Sequence, residues 1–158
     1  MRIVLDTNII VKAIKDSSWD HLAVLNLLRL FEQNLLLDYE GILFGEYRAN
    51  AGNHDLFQKW FQEMQNRGLL LWESGHLSNR VAGELRRHHL HEPGDHVVIA
   101  LAINGDHYII TEDSDFGKGD SARAAHHQDA WNYLCNELML TIHDAREACE
   151  KLKNIERG

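Results

Sequence analysis

The chain has 158 residues, 44% of them hydrophobic and 25% charged. That balance excludes a disordered chain, and the longest uncharged apolar run, 97–103, is far shorter than the ~20 residues that span a bilayer. The net charge of −8 argues against a broad basic surface for nucleic acid. Clustered carboxylates that a bound cation neutralises would account for part of that charge, so small-footprint catalysis on nucleic acid stays open.

One domain is expected over 1–158, with no linker, repeat or low-complexity tract and a single proline. Ile3-Val4-Leu5 reads as a short buried strand. Met1-Arg2 runs straight into it, so no signal peptide is expected. Thr7 and Asn8 follow as short polar groups suited to a turn. Residues 19–32 carry apolar side chains at helical spacing, and 35–38 reads as a second strand. A helix over 40–66 is broken near 50–53, where Asn-Ala-Gly-Asn is a stop signal. A third strand at 69–72 and a polar helix over 76–90 come next. Val97–Ile103 has strand propensity, but Pro93-Gly94-Asp95 ahead of it favours a helix start and Asn104-Gly105 a helix stop. The run 107–111 is a strand, 113–120 a polar loop, 121–135 helical, 138–142 the last strand and 144–153 the last helix. This alternation predicts an α/β sandwich with a largely parallel sheet. Cys135 and Cys149 have no metal-knuckle spacing and read as reduced thiols of a cytoplasmic protein.

Four acids fall at telling places in this pattern. Asp6 and Asp113 sit just past strand ends, Asp95 at a helix start and Glu46 on the helix after the second strand. In a parallel sheet, strand ends and following helix starts share one edge, where ligands bind. The helix dipole at Asp95 is expected to favour its charged form. Taken singly, each acid has a structural reading: turn former, solvated helix residue, N-cap or loop acid. Order and placement favour one shared site, and hard oxygen ligands suit Mg²⁺ or Mn²⁺, which generate hydroxide and stabilise a leaving oxygen. No GxGxxG or GxxxxGK[ST] loop and no Ser–His–Asp set competes.

Leu5-Asp6-Thr7-Asn8, Glu46, Asp95 ahead of Val97-Val98-Ile99-Ala100-Leu101-Ala102, and Thr111-Glu112-Asp113-Ser114-Asp115-Phe116 together resemble the PIN-domain nuclease family, including toxins of VapC type. The likeness runs over residues 1–116 and extends to the last strand and helix. It implies a three-layer α/β/α sandwich with a central mostly parallel sheet. It also implies a metal-dependent ribonuclease holding one or two Mg²⁺ or Mn²⁺ ions. By that likeness Asp6, Glu46, Asp95 and Asp113 are the catalytic acids and metal ligands. Asp115 is an accessory metal ligand, and Thr7, Asn8 and Thr111 are supporting polar groups. RNA is the implied substrate, and an antitoxin protein and a homodimer are the implied partners. Three features depart from the family pattern. Glu112 adds a like charge beside Asp113, 117–136 makes room for an extra helical segment, and Glu40 competes with Glu46 as the helix acid.

Eleven histidines are many for this length. His88, His89, His91 and His96 cluster beside Asp95 without zinc spacing, and a solvated helix end is the favoured reading. His126-His127 read the same way. Phosphate contacts fall to Lys12, Lys15, Arg48, Arg80, Arg86, Arg87, Lys118 or Arg123. Of these, Arg80, Arg86, Arg87 and Lys118 form either a substrate-side patch or helix charges balanced by Glu84 and Glu92. Trp19, Trp60, Trp72 and Trp131 read as core or interface before base-stacking. Two readings compete with the ribonuclease: a PIN-like scaffold without activity, and a PIN nuclease acting on DNA. An aspartyl-phosphate enzyme would want a second Asp two residues after Asp6, where this chain has Asn8.

Overall fold

The computed structural model describes residues 1–118 and 125–157. Five strands, β1 (Arg2–Leu5), β2 (Asn34–Asp38), β3 (Leu70–Glu73), β4 (Tyr108–Ile110) and β5 (Thr141–His143), form one sheet in the order β3-β2-β1-β4-β5, every pair parallel. Among the described residues eight α-helices flank it: α1 (Thr7–Ile14), α2 (Trp19–Leu30), α3 (Ile42–Ala51), α4 (Asp55–Asn66), α5 (Asn79–Arg87), α6 (Pro93–Asn104), α7 (Ala125–Asn132) and α8 (Ala145–Arg157). This is the expected α/β sandwich with helices covering a parallel sheet. The three central strands are apolar runs buried on both faces, as a covered parallel sheet requires, while β3 is a half-exposed edge.

Chain order places the functional edge. The strands step outward from β1 to β2 to β3, and the chain then returns to lay β4 on the other side of β1. The carboxyl ends of β1 and β4 are therefore the topological switch point, the crevice where open α/β sheets bind ligands. The Asp6 N–H donates to the Ile110 carbonyl at 3.0 Å and closes the two strands together there.

Most of the expected elements appear within a few residues of their predicted bounds, and Val97–Ile103 is helical, within α6. The turn expected at Thr7-Asn8 is instead the first turn of α1, with Asp6 as its N-cap accepting from the Thr7 N–H at 2.8 Å. The helix has a sequence signal: Ile9, Ile10, Ala13 and Ile14 recur at helical spacing and are all buried. The short strand before it and the Asp cap leave no loop between the two elements. The helix expected over 121–135 is α7 followed by a wider helical turn at Tyr133–Glu137. Residues 119–124 of the expected extra segment lie outside the described residues. The last strand starts later than expected, after Met139 adopts a positive φ of 58°.

Two buried polar contacts set α3 against the sheet edge. The Asp38 carboxylate accepts from the backbone N–H groups of Ile42 and Leu43, each at 2.9 Å, and thereby satisfies two donors of the first turn of α3. Gly41 supplies the left-handed conformation (φ 80°) that lets the chain turn from β2 into that helix. The fully buried Tyr47 hydroxyl donates to the Leu5 carbonyl, the last residue of β1. The residue before Tyr47, Glu46, is thus held next to Asp6. Replacement Asp38→Ala removes an acceptor from one buried and one part-buried donor and is expected to cost about 1–3 kcal/mol in urea unfolding. Asp38→Asn should recover part of that loss, because one amide oxygen still accepts. An unchanged midpoint for Asp38→Ala would remove this contact as the anchor of α3.

Candidate active site

Asp6, 7% exposed, lies at the floor of the switch point. Its Oδ2 accepts from the Thr111 hydroxyl at 2.7 Å and from the Asn8 amide at 3.4 Å, and its Oδ1 from the Thr7 N–H. The Thr7 hydroxyl donates to Glu46 Oε2 at 2.9 Å, linking α1 to α3. Thr111 also accepts from the Asp113 N–H at 3.1 Å, and Asp113 Oδ1 accepts from the Asp115 N–H at 2.9 Å across the single 3₁₀ turn Ser114–Phe116. Thr7, Asn8 and Thr111 therefore orient the acids, and the sequence-expected acids Asp6, Glu46, Asp95, Asp113 and Asp115 come together at one edge. Glu40 does not join them. It is exposed and paired with His76 at 2.5 Å.

Asp95 enters from the first turn of α6. A Cβ on Gly94 would stand 2.1 Å from Glu46 Oε1, so the absence of a side chain there lets α6 close against α3 and bring Asp95 in. Asp95, Asp113 and Asp115 each offer a carboxylate oxygen within 4.8 Å of the other two. Oxygens bound to one divalent ion lie at most twice a metal–oxygen distance apart, about 4.2 Å for Mg²⁺ and about 5 Å for Ca²⁺, so at most a small inward shift lets the three carboxylates share one ion.

The electrostatics point the same way. Burial, opposed by the Thr111 hydrogen bond and reinforced by Asp113, pushes the Asp6 carboxyl up to about 6. Burial, then repulsion from Asp113, Asp6, Asp115 and Glu46, pushes Asp95 up to about 8. Asp113 is also raised by burial, against the bond from the Asp115 N–H. The helix dipole expected to keep Asp95 charged is outweighed by burial and by this crowding. No Lys or Arg is paired with any of the five acids among the described residues.

No protein-family model matches the sequence, and no curated protein matches it. Among solved structures, a chain of the crystal structure of VapBC2 from Rickettsia felis bound to a DNA fragment from its promoter superposes with a TM-score of 0.51. The match covers 91% of this chain and 98% of that one at 16% identity. The fold is PIN-like. At that identity the likeness speaks for the architecture alone.

Several expectations about neighbouring residues change on this PIN-like frame. Glu112 turns away from the acids and pairs with Lys12 Nζ at 2.6 Å and His21 Nε2 at 2.9 Å, and it accepts from the Ala145 N–H. Burial acts to raise it, but these three donors win and hold it below its usual range, so the like charge expected beside Asp113 is spent elsewhere. Lys118 is tied to Glu147 at 2.6 Å and lies over the Trp131 ring, and Arg87 pairs with Glu84. Of the four basic residues expected to form a patch, Arg87 and Lys118 are therefore tied to carboxylates of the chain itself. His88 stacks on Tyr133 and His96 Nε2 meets the Leu90 carbonyl at 2.7 Å, in keeping with a structural reading of that cluster. Trp60 is core and bonds the Leu25 carbonyl, whereas Trp19 is 87% exposed. The sequence reading missed two residues. Gly94 carries no signal beyond its Pro-Gly-Asp context. His127, grouped with solvated histidines, lies with Nδ1 4.0 Å from Asp115 Oδ1, and its charge acts to lower Asp113.

Carboxyls raised in the folded state bind protons that the unfolded chain has already released above about pH 4, so ion-free stability falls as pH climbs toward about 8, where Asp95 titrates. In EDTA the melting temperature is therefore expected to be lower at pH 8 than at pH 6. Asp95→Asn should raise stability at pH 8 by about 1–2 kcal/mol, a figure discounted for the part-exposed side chain, and should flatten the slope. Mn²⁺ should restore the wild type at pH 8. A pH-independent melt, or an Asp95→Asn variant less stable at pH 8, would contradict this account.

Proposed function

We propose that the protein is a Mg²⁺- or Mn²⁺-dependent endoribonuclease that hydrolyses RNA phosphodiester bonds at the carboxyl edge of β1 and β4. The observation that carries this reading is the convergence of Asp6, Glu46, Asp95, Asp113 and Asp115 without a paired Lys or Arg among the described residues. Crowded carboxylates cost folding energy that a scaffold has no reason to spend, and a divalent cation recovers it. The choice of RNA over DNA follows the VapC-type sequence resemblance, with which the VapBC2-like fold agrees.

Asp95, Asp113 and Asp115 would hold the ion, with Asp6 and Glu46 completing the ring of charge. When bound, such an ion lowers the pKa of water toward neutrality and offsets charge on the phosphate and leaving oxygen. The chain's own residues do the positioning. Thr111 and the Thr7 N–H fix the Asp6 carboxylate from both oxygens, and Thr7 fixes Glu46. To hold the ion Asp95 would have to release its proton, so ion binding would strengthen with pH.

The partner side of the reading rests on an apolar stripe. Trp19 (87% exposed) and Leu30 (58%) on α2 stand with Leu56 (51%) on α4, beside a groove of about 320 Å³ whose apolar lining, Leu22, Leu25, Leu56 and Trp60, is edged by Asn26, Arg29, Lys59 and Glu63. A stripe of this kind on a folded chain fits an apolar segment of another polypeptide, here an antitoxin.

Purified protein should cut labelled single-stranded RNA with Mn²⁺ or Mg²⁺ and fail in EDTA. Asp6→Asn and Asp95→Asn should each lower kcat/KM by at least about a hundredfold. A folded, Mn²⁺-loaded wild type that cuts no RNA would sink the ribonuclease. Separately, the product of the reading frame adjacent to this protein's own is expected to co-purify with it and to be lost in Trp19→Asp/Leu56→Glu. Light scattering on the same samples distinguishes a heteromeric complex from pairing of two copies on that stripe.

A further inference from the structure

A second concave surface lies away from the acids. The hairpin of α3 and α4 encloses a cleft of about 730 Å³, within the range of small-ligand sites. Its wall is a column of rings. Phe44 stacks on Phe61 with centroids 4.8 Å apart and planes within 16° of parallel, and Phe61 continues onto the buried Phe57 at 5.5 Å. Arg48 Cζ lies 5.6 Å from the Phe44 centroid, and the guanidinium has no carboxylate partner among the described residues. The rim carries the amides of Asn53, Gln62 and Gln65. Gln62 spends an N–H on Asn66, while the Asn53 and Gln65 amides make no hydrogen bond among the described residues.

The lining chooses between occupants. It holds no Leu, Ile, Val or Met, so its apolar surface is aromatic and flat rather than aliphatic, whereas Leu22, Leu25 and Leu56 line the groove between α2 and α4. Stacked rings, a cation and free amides match the flat face, phosphate and polar edge of an unpaired nucleotide. Position agrees as well. Phe44 and Glu46 are two residues apart, about 200° around α3, so the cleft lies roughly one helix diameter, about 10–12 Å, from the Glu46 side. A single strand spans that distance in a few nucleotides.

We propose that this cleft is a base-binding subsite. One unpaired base of single-stranded RNA, a few nucleotides from the bond that is cut, stacks on Phe44 while Arg48 swings onto the adjoining phosphate. The subsite rests on the ribonuclease reading for its biological use, but its occupancy is measurable without cleavage.

The test is fluorescence anisotropy of a labelled ten-nucleotide single-stranded RNA with Ca²⁺ replacing Mn²⁺, together with crosslinking of the same RNA carrying 4-thiouridine. The wild type should bind and crosslink within 44–65. Phe44→Ala and Arg48→Glu should each weaken binding about tenfold or more, and Phe44→Tyr should stay within about twofold of wild type. In Mn²⁺, the weakened variants should raise KM and leave kcat unchanged. Should Phe44→Ala not fold, the exposed Arg48→Glu decides alone. Unchanged RNA affinity in that variant, or crosslinks confined elsewhere, overturns the subsite, whether or not a protein partner is lost, and leaves the ribonuclease intact. Tight binding with crosslinks in the cleft, but no cutting in Mn²⁺, supports the subsite and overturns the ribonuclease.

Discussion

The Thr111 hydroxyl, fully buried at the end of β4, donates to Asp6 and accepts from the Asp113 N–H and the Asn8 amide. A hydroxyl has one donor and two acceptor lone pairs, and all three are used. This single atom joins the carboxyl ends of two strands that are far apart in sequence and fixes the acid that follows each of them. Asn8 extends the junction by accepting from the Glu112 N–H, so the backbone after β4 is set against the first turn of α1. Valine has nearly the shape of threonine, but in its place it would leave a buried carboxylate and the part-buried Asp113 N–H short of partners. The low local dielectric makes that shortage expensive.

With that junction fixed, the fold separates charge by direction. Residues 112 and 113 are adjacent, yet one carboxyl is held low and the other is pushed up. Glu112 points toward Lys12, His21 and the start of α8, where donors outnumber it. Asp113 points into the crevice, where other carboxylates already stand. Alternation along the chain after β4 thus routes one acid into structural pairing and the next into the crevice. The stability that Glu112 gains is independent of the cost that Asp113 and Asp95 incur.

The sequence made the architecture legible because its signals are local. β-branched and leucine runs mark the strands, and Pro-Gly-Asp and Asn-Gly bracket α6 against its strand propensity. It failed at Thr7-Asn8, where a strand passes into a helix with no intervening loop and the acid of interest doubles as the cap. Within the site, the acids were legible from order, whereas the choice between Glu40 and Glu46 was not. That choice depends on Thr7 reaching across from α1 and on Tyr47 docking on Leu5, both long-range contacts. The role of Gly94 depends on the approach of α3, and the nearness of His127 to Asp115 on α7 packing over the 3₁₀ turn. Neither leaves a mark in local spacing.

The net charge of −8 finally constrains how such a chain can meet a polyanion. A protein that binds nucleic acid mainly by counterion release spreads Lys and Arg along a track. Here Lys12, Arg29, Arg67, Arg87 and Lys118 are committed to carboxylates of the chain itself. Under the proposed function, attraction to RNA would draw on two sources that do not depend on net charge. One would be a divalent cation in the acid cluster, which offsets the negative charge where the phosphate must sit. The other would be stacking on the half-buried Phe44 ring, which is indifferent to the field of the protein. An acidic PIN-like chain that uses both would hold its substrate at two points on either side of α3, and α3 is the helix that Asp38 and Tyr47 fasten to the sheet.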